Sequence, residues 1–388
     1  MRFLIVLLIF TTVSFASLKS EIEEGVSFYK HKQYERALEI FDRILIMHPN
    51  SKRVRLEYAR VLYAMGRYNE SKKEFLTVLR SKNLPPLVIK NIKWFLKKIE
   101  RKQKKNFFSA SLSIGTVYDN NIENKSDNPM YGGFVDSNRE KRKDKYITKE
   151  FSLTHKRRVK NGIWKNSLYF YDELDHDDSK DRISYLSLSS SYKFLYKGLR
   201  IVLPINLGYT DIDKERYLNS IAIRPKIDKK LSKNSLISYS VIFEKNHNKD
   251  DDERSNKVYG ASVRLLTKIK KFSNILGLGY KKYKRVNGDR LDVAKKRLSM
   301  KIGTSYSLLP SNLVNLLYKK TKDTYKEEDP TIKAQRVDKM DRYNLNFQQN
   351  INKKQYFQIS FSKVKNKSNL DIYSYEKKLY SFKVTQKF

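Results

Sequence analysis

Residues 201–210 read IVLPINLGYT, and this stretch shows the pattern that decides the fold of most of the chain. Every second position is apolar or aromatic: Ile201, Leu203, Ile205, Leu207 and Tyr209. The positions between them are mostly small or polar. Because successive side chains of a strand point to opposite faces, this alternation predicts a β-strand with one apolar and one polar face. Residues 276–280 and 357–361 repeat the pattern.

A soluble β-sandwich alternates in the same way, so strand number and connection length decide between the two classes. We predict fourteen strands, which begin near residues 107, 145, 162, 181, 199, 215, 235, 255, 272, 293, 312, 336, 355 and 371. Connections after even-numbered strands are short, as at 196–198. Those after odd-numbered strands are mostly longer and charged, as at 123–144, 172–181, 246–255 and 327–330. Because outer-membrane barrels have even strand numbers, short periplasmic turns and long external loops, residues 105–388 are predicted to form a 14-stranded antiparallel transmembrane β-barrel.

The last predicted strand has the same alternation, with Tyr380, Phe382, Val384, Gln386 and Phe388 on one face. A terminal strand that ends in Phe is a feature that the outer-membrane assembly machinery commonly recognises. Phe388 is therefore predicted to be an assembly signal. The expected partners of this region are the β-barrel assembly machinery, outer-membrane lipid and lipopolysaccharide.

The first hundred residues have a different period. Two segments match at a spacing of 34 residues, through the pairs Gly25 and Ala59, Phe28 and Leu62, Tyr34 and Tyr68, Ala37 and Ser71, Phe41 and Phe75, and Leu45 and Leu79. This period is typical of tetratricopeptide repeats. A third helix after Pro85 is expected either to cap the stack or to dock it on the barrel rim. Residues 17–104 are thus predicted to form a small tetratricopeptide α-solenoid, so the chain is multidomain α + β.

The inner helices of such repeats line a concave groove. By their repeat positions, the residues expected there are Tyr29, Lys30, Arg53, Arg60 and Tyr63. Aromatic and basic groups together favour a surface that binds a client peptide or protein. The alternative is that these residues form an ordinary solvated helix face.

Residues 1–16 have the parts of a secretory signal peptide. Arg2 is followed by an apolar run and then by Ser14-Phe15-Ala16, which predicts cleavage after Ala16. The alternative is an uncleaved anchor, but the run is short for the roughly 20 residues that a helical span needs. The chain has no cysteine, which excludes disulfides and a lipid anchor on the mature N-terminus. The signal peptide and the predicted barrel together indicate an outer-membrane protein whose N-terminal domain lies in the periplasm.

The formal net charge of +39 invites a nucleic-acid interpretation, yet the lysines are spread along the whole chain. An exported protein rarely meets nucleic acid, so no nucleic-acid partner is predicted. We interpret the charge as a composition bias together with a wet, cationic barrel interior. Such an interior predicts a preference for anions in any conductance, because lumen charge sets selectivity.

No catalytic constellation is present in the sequence. The five histidines do not stand at a metal-binding spacing, and there is no nucleophile elbow or phosphate loop. The acidic stretches 172–178 and 250–252 contain enough carboxylates for Ca²⁺, but they lack the spacing of a calcium loop. They are predicted to be solvated external loops. We expect no enzymatic activity, no metal and no cofactor.

The first predicted strand carries the most specific local motif, SLSIGTVYDNNI at residues 111–122. It resembles the stretch of Gly followed by Tyr-Asp-(Ser/Asn)-Asn that opens the barrel of the surface lipoprotein assembly modulator family. A signal peptide, a tetratricopeptide domain and a fourteen-stranded barrel resemble that family over the whole mature chain, although the helical domain here is small. The resemblance implies a barrel-opening motif of Gly115, Tyr118, Asp119, Asn120 and Asn121. Gly115 is expected to leave space inside the barrel, Tyr118 to lie at the membrane interface, and Asp119 and Asn120 to cap the strand.

The same resemblance implies an activity. Members of the family move client proteins, either surface lipoproteins or small secreted proteins, from the periplasm to the cell surface. Two other functions stay open from the sequence. One is an exopolysaccharide export channel, a class that also joins tetratricopeptide repeats to a barrel, and the other is a porin with a periplasmic scaffold domain.

Overall fold

A computed structural model describes residues 18–126, 130–131, 134–135, 141–175, 182–288, 290, 292–329 and 332–388. The predicted signal peptide lies outside these residues, as do His176 and parts of the predicted loops 123–144 and 172–181. The chain divides into two compact units between Lys104 and Lys105.

None of the helices within the described ranges is both long enough and apolar enough to span a membrane.

The first unit is helical, as the 34-residue period predicts. Its elements are α1 at residues 18–30, α2 at Tyr34–Met47, α3 at Lys52–Ala64, α4 at Tyr68–Leu79 and α5 at Pro86–Gln103. Ser51 caps the start of α3, because its hydroxyl accepts a hydrogen bond from the Val54 amide. Pro86 opens α5 at a position where its missing amide hydrogen costs nothing.

Small residues lie where the helices cross, as the repeat predicts. A Cβ atom on Gly25 would lie 2.7 Å from the Phe41 ring, so α1 and α2 are in close contact. At the equivalent place in the second repeat, Ser71 donates a hydrogen bond to the Ala59 carbonyl at 2.8 Å. Phe41 and Phe75 are each buried in a separate apolar cluster. Ile92 and Ile99 of α5 are buried in the second cluster, so α5 covers the end of the helical stack, which is one of the two roles expected for it.

The second unit is a closed barrel of fourteen antiparallel strands, as predicted. The strands are β1 Asn106–Asp119, β2 Asp144–Val159, β3 Gly162–Asp175, β4 Ile183–Tyr196, β5 Leu199–Ile212, β6 Glu215–Ile223 with Lys226–Lys230, β7 Ser235–Asn248, β8 Asn256–Ile269, β9 Phe272–Arg285, β10 Lys295–Tyr306, β11 Asn312–Glu328, β12 Gln335–Asn350, β13 Gln355–Ser368 and β14 Tyr375–Lys387. Each strand pairs with its sequence neighbours, and β14 pairs with β1 to close the sheet. Closure leaves no free sheet edge, which a lipid environment requires.

The outer face of the barrel is apolar across its middle. Its exposed side chains include Leu203 and Ile205 on β5, Leu276 and Leu278 on β9, and Ile359 on β13, as the alternation predicts. Aromatic pairs border this belt. Near the short turns these are Trp164 with Tyr192 and Phe272 with Tyr306; toward the long loops they are Tyr318 with Tyr343 and Tyr118 with Tyr380. An apolar band between two aromatic girdles is the surface of an outer-membrane β-barrel.

The strands reach further into the predicted external loops than the sequence indicates. We expected loops from Asp172, Asn246 and Glu327, but β3 continues to Asp175, β7 to Asn248 and β11 to Glu328. The prediction of loops at these residues is therefore wrong. The reason is that backbone hydrogen bonds hold a strand pair together whether its side chains are charged or apolar.

The sixth strand is interrupted at Arg224 and Pro225. Pro204 lies opposite on β5, where its carbonyl accepts a hydrogen bond from the Arg224 amide at 3.3 Å. Two prolines at one level each remove an amide donor from the sheet. The register of the neighbouring pairs is unchanged across the gap, so the barrel stays closed there.

Candidate functional site

The inner face of the barrel is polar, and hydroxyl groups pair across neighbouring strands. Ser111 contacts Ser152 at 2.8 Å, Ser240 contacts Ser262 at 2.8 Å, and Ser113 contacts Thr385 at 2.9 Å. These residues alternate with the outward apolar residues of the same strands. The lumen is thus lined by groups that suit water and polar cargo.

Several lumen carboxylates are held by basic side chains on adjacent strands. Asp323 on β11 contacts Arg297 at 2.5 Å and Lys295 at 3.0 Å, both on β10. Asp228 on β6 contacts Arg200 of β5 at 2.7 Å. These clusters are not evident from the sequence, although a charged residue on the polar face of a strand is a signal that its side chain points inward. Buried carboxylates in such a lumen need partners, which these arginines and lysines supply.

One row of lumen side chains consists of cations. Lys301 on β10 lies directly opposite Lys319 on β11, which lies opposite Arg342 on β12. Within the described residues, no carboxylate comes within 4.0 Å of these three side chains. The Lys319 ammonium is repelled by four other cations, namely Arg297, Arg342, Lys281 and Lys301. One part of the lumen wall therefore carries excess positive charge.

Gly115 of the barrel-opening motif points into the lumen. A Cβ atom there would lie 2.8 Å from the Phe382 carbonyl oxygen and 3.1 Å from the Thr148 hydroxyl. Any larger residue would meet the backbone of β14. The motif glycine thus allows β14 to lie close against β1.

Tyr118 points to the outside. Its ring centroid is 6.2 Å from that of Tyr380 on β14, and Tyr380 in turn lies 5.1 Å from Phe361 on β13. These rings form part of the aromatic girdle on the side of the long loops. The geometry is that expected of a residue at the membrane interface.

Asp119 and Asn120 end β1 and also join it to β14. The Asp119 carboxylate is 2% exposed, accepts a hydrogen bond from the Asn121 amide and lies 2.6 Å from the Lys377 ammonium. The Asn120 side chain accepts a hydrogen bond from the Lys378 amide at 2.6 Å. The sequence indicated strand capping, but it did not indicate that the cap crosses to the last strand.

Asn121 is fully buried and fixes the start of the first long loop. Its side-chain amide donates to the carbonyls of Lys125 and Glu376, and its side-chain oxygen accepts from the Lys125 amide. Deeper in the lumen, Lys383 of β14 contacts Glu150 of β2 at 3.0 Å. The motif therefore stabilises the contact between the first and last strands, β1 and β14. We call this contact the closing seam.

The predicted client-binding residues of the helical unit are only partly brought together. The Arg60 guanidinium lies 5.3 Å from the centre of the Tyr29 ring, and Arg60 also contacts Glu57. Lys30 and Arg53 are exposed. Tyr63 packs against Tyr68 and Phe95 in the second apolar cluster.

The acidic stretch 250–252 lies at the long-loop end of the barrel, and the carboxylates of Asp251 and Asp252 have partners. Asp251 contacts Arg290 at 2.7 Å and Arg254 at 3.2 Å. Hydrogen bonds from Asn287 and Ser255 hold the pKa of Asp252 below its usual range. The carboxylates of Asp251 and Asp252 are thus held by side chains of the protein itself.

Residues 28–88 match a family model described as a tetratricopeptide repeat. A search of curated proteins gave no significant match.

Solved structures with a similar fold include an anion-selective porin from Comamonas acidovorans, at 11% identity over 73% of this chain and 99% of that chain, with a TM-score of 0.43. The outer membrane channel DcaP of Acinetobacter baumannii is 12% identical over 73% of this chain and 97% of that chain, with a TM-score of 0.46. A bacterial polysaccharide outer membrane secretin is 11% identical over 72% of this chain and 98% of that chain, with a TM-score of 0.40.

Proposed function

We propose that this protein is an outer-membrane translocator that moves client proteins, either surface lipoproteins or small secreted proteins, from the periplasm to the cell surface. The supporting observation is the union of two parts in one chain. A tetratricopeptide solenoid ends at Gln103, and the first strand of a closed, polar-lined barrel begins at Asn106. Solenoid repeats provide concave binding surfaces, and a barrel provides a path through lipid.

The proposed orientation follows from the barrel itself. β1 begins at the end where short turns such as 197–198 and 270–271 connect the strands. That end faces the periplasm in outer-membrane barrels. In the proposed orientation, the chain enters β1 from the periplasm, where the helical unit that precedes β1 would receive a client.

The helical unit offers a specific receiving surface in this proposal. Tyr29, Lys30, Arg53 and Arg60 lie on the first helices of the two repeats, which line the groove of such solenoids. Lys30 and Arg53 are exposed, so a client segment with acidic residues would find them available.

The test is client display in a heterologous host. The protein is coexpressed with each lipoprotein or small secreted barrel protein encoded beside its gene, and intact cells are probed with antibody and protease. Surface exposure that depends on this protein, and that falls in a Lys30→Glu/Arg53→Glu variant, supports a translocator fed by the helical unit. A Lys72→Glu variant on α4 is the matched control, because Lys72 is exposed on the second helix of its repeat.

A second candidate is an anion-conducting channel, for which the helical unit serves as a periplasmic scaffold. The row of Lys301, Lys319 and Arg342 favours it, because a ring of basic side chains selects anions. Steady conductance in planar bilayers, with none of the proteins encoded beside the gene displayed on cells, would favour this candidate or glycan export over protein translocation.

A further inference from the structure

A single row of outward-facing residues runs across seven strands of the barrel and changes from apolar to basic side chains. From β7 to β13 the paired residues are Val241, Ala261, Tyr280, Leu298, Lys322, Lys339 and Lys367. The first four are apolar or aromatic, and the last three are lysines. Such a run of three directly opposed lysines is unfavourable unless an anion lies between them.

The three lysines are exposed. Within the described part of the chain, no carboxylate comes within 4.0 Å of Lys322, Lys339 or Lys367. They lie just beyond the aromatic girdle formed by Tyr318 and Tyr343, toward the long loops. Because barrel strands are tilted, a row perpendicular to them climbs from the hydrocarbon toward the head-group level.

The apolar half of the row forms the floor of a groove on the outer face. This groove has a volume of about 870 Å³, is lined by Ile227, Val241, Leu278 and Leu298 among others, and is bordered by Lys320 and Lys322. Ala261 leaves room at its centre, since the neighbouring residues in the row are larger. An apolar channel that ends at basic side chains matches the shape and charge of an acyl chain with an anionic head group.

We propose that this surface binds a phosphorylated lipid of the outer leaflet, the acylated lipid anchor of lipopolysaccharide. The phosphates lie on Lys322, Lys339 and Lys367, and an acyl chain occupies the groove over Ala261. Each lysine near an anionic lipid head group strengthens binding by roughly fivefold. The site lies on the outside of the barrel, so it is independent of the cargo that passes through the lumen.

Full-length protein purified in a neutral detergent provides the test, with purified lipid A as the probe and native mass spectrometry as the readout. We expect wild-type protein to bind lipid A and the Lys322→Gln/Lys339→Gln/Lys367→Gln variant to bind about a hundredfold more weakly. Lys319→Gln is the matched control, because Lys319 is on β11 as well but faces the lumen. It should bind lipid A as the wild type does.

A second variant tests the groove without changing any charge. Ala261→Trp fills the groove and should also weaken lipid A binding, while the protein keeps its resistance to SDS at room temperature as a sign of a folded barrel. Equal binding of lipid A by wild type and the triple-lysine variant would overturn the proposal. So would equal binding of phosphatidylcholine and lipid A, or binding of inorganic pyrophosphate as tight as that of lipid A.

Discussion

Lys377 on the last strand forms an ion pair with Asp119 on the first, with 2.6 Å between the Lys377 Nζ and the Asp119 Oδ2. The carboxylate is almost fully buried, and the lysine side chain is 15% exposed. Together with the hydrogen bond from the Lys378 amide to Asn120, the pair secures the closing seam at its long-loop end. The residues that most resemble a family motif are thus also those that close the barrel.

Removing the lysine of this pair should weaken the barrel. Lys377→Met leaves the Asp119 carboxylate buried and unpaired, which costs about 3 kcal/mol or more. The measurement is unfolding in urea, followed by the loss of resistance to SDS. Lys378→Met is the control, because Lys378 lies 3.9 Å from Glu376 in an exposed pair that contributes little. Equal urea midpoints for the two variants would mean that the ion pair between Lys377 and Asp119 does not stabilise the barrel.

The lumen row should set ion selectivity. In planar bilayers under a KCl gradient, we expect the wild-type reversal potential to show a preference for chloride. A Lys301→Gln/Lys319→Gln/Arg342→Gln variant should lose most of that preference, because lumen charge determines selectivity. Lys320→Gln is the control on the outer face of the same strand. A cation preference in the wild type would refute the idea.

The cations of the same row should also repel one another and so lower the stability of the barrel. Lys319 lies opposite two other cations, so neutralising it as Lys319→Gln should stabilise the barrel by roughly 0.2–1 kcal/mol. The urea midpoint of the purified protein measures this change at low salt. Added salt should shrink the difference, because it screens the repulsion in a water-filled lumen.

The close crossing of α1 and α2 should make Gly25 intolerant of larger side chains. Gly25→Val places methyl groups against the Phe41 ring and should destabilise the helical unit by about 1–3 kcal/mol. Thermal loss of the helical signal at 222 nm in circular dichroism measures the effect. Ser27→Val introduces the same residue at an exposed position of α1 and should melt close to the wild type.

Phe388 should matter for assembly more than for stability. Its amide donates a hydrogen bond to the Ala110 carbonyl at 2.9 Å, but its side chain is 67% exposed. Phe388→Ala keeps the backbone bond, so the purified barrel should unfold at nearly the wild-type urea concentration. In cells, the amount inserted in the outer membrane should fall, as fractionation would show. Normal insertion would remove Phe388 as an assembly signal.

The fold could be predicted from side-chain alternation and the 34-residue repeat, because such patterns depend only on residues that are close in sequence. Alternation in 201–210 and its repeats gave fourteen strands with starts close to the observed ones, and the 34-residue period gave the helices. The strand ends were less well predicted. Asp175 and Glu328 are charged, yet they extend their strands because the partner strand still offers backbone hydrogen bonds.

The candidate site depended on contacts that no local pattern encodes. The motif around Asp119 is visible in the sequence, but its partner Lys377 is not, and Ser113 meets a residue as distant as Thr385. The lysine row of Lys322, Lys339 and Lys367 likewise exists only after three strands pair in one register. A one-residue shift would turn each strand's side chains to the other face of the sheet.

The sequence by itself determined which faces are apolar, how many strands form and where the helices repeat. These follow from the side-chain periods of 2 and 3.6 residues and from repetition along the chain. Tertiary structure alone decided which opposite charges are paired, as Asp323 is with Arg297, and which like charges lie side by side, as Lys319 does with Arg342. The physical reason is that the barrel's closure and register bring distant strands side by side, and electrostatic interactions depend on distance in space.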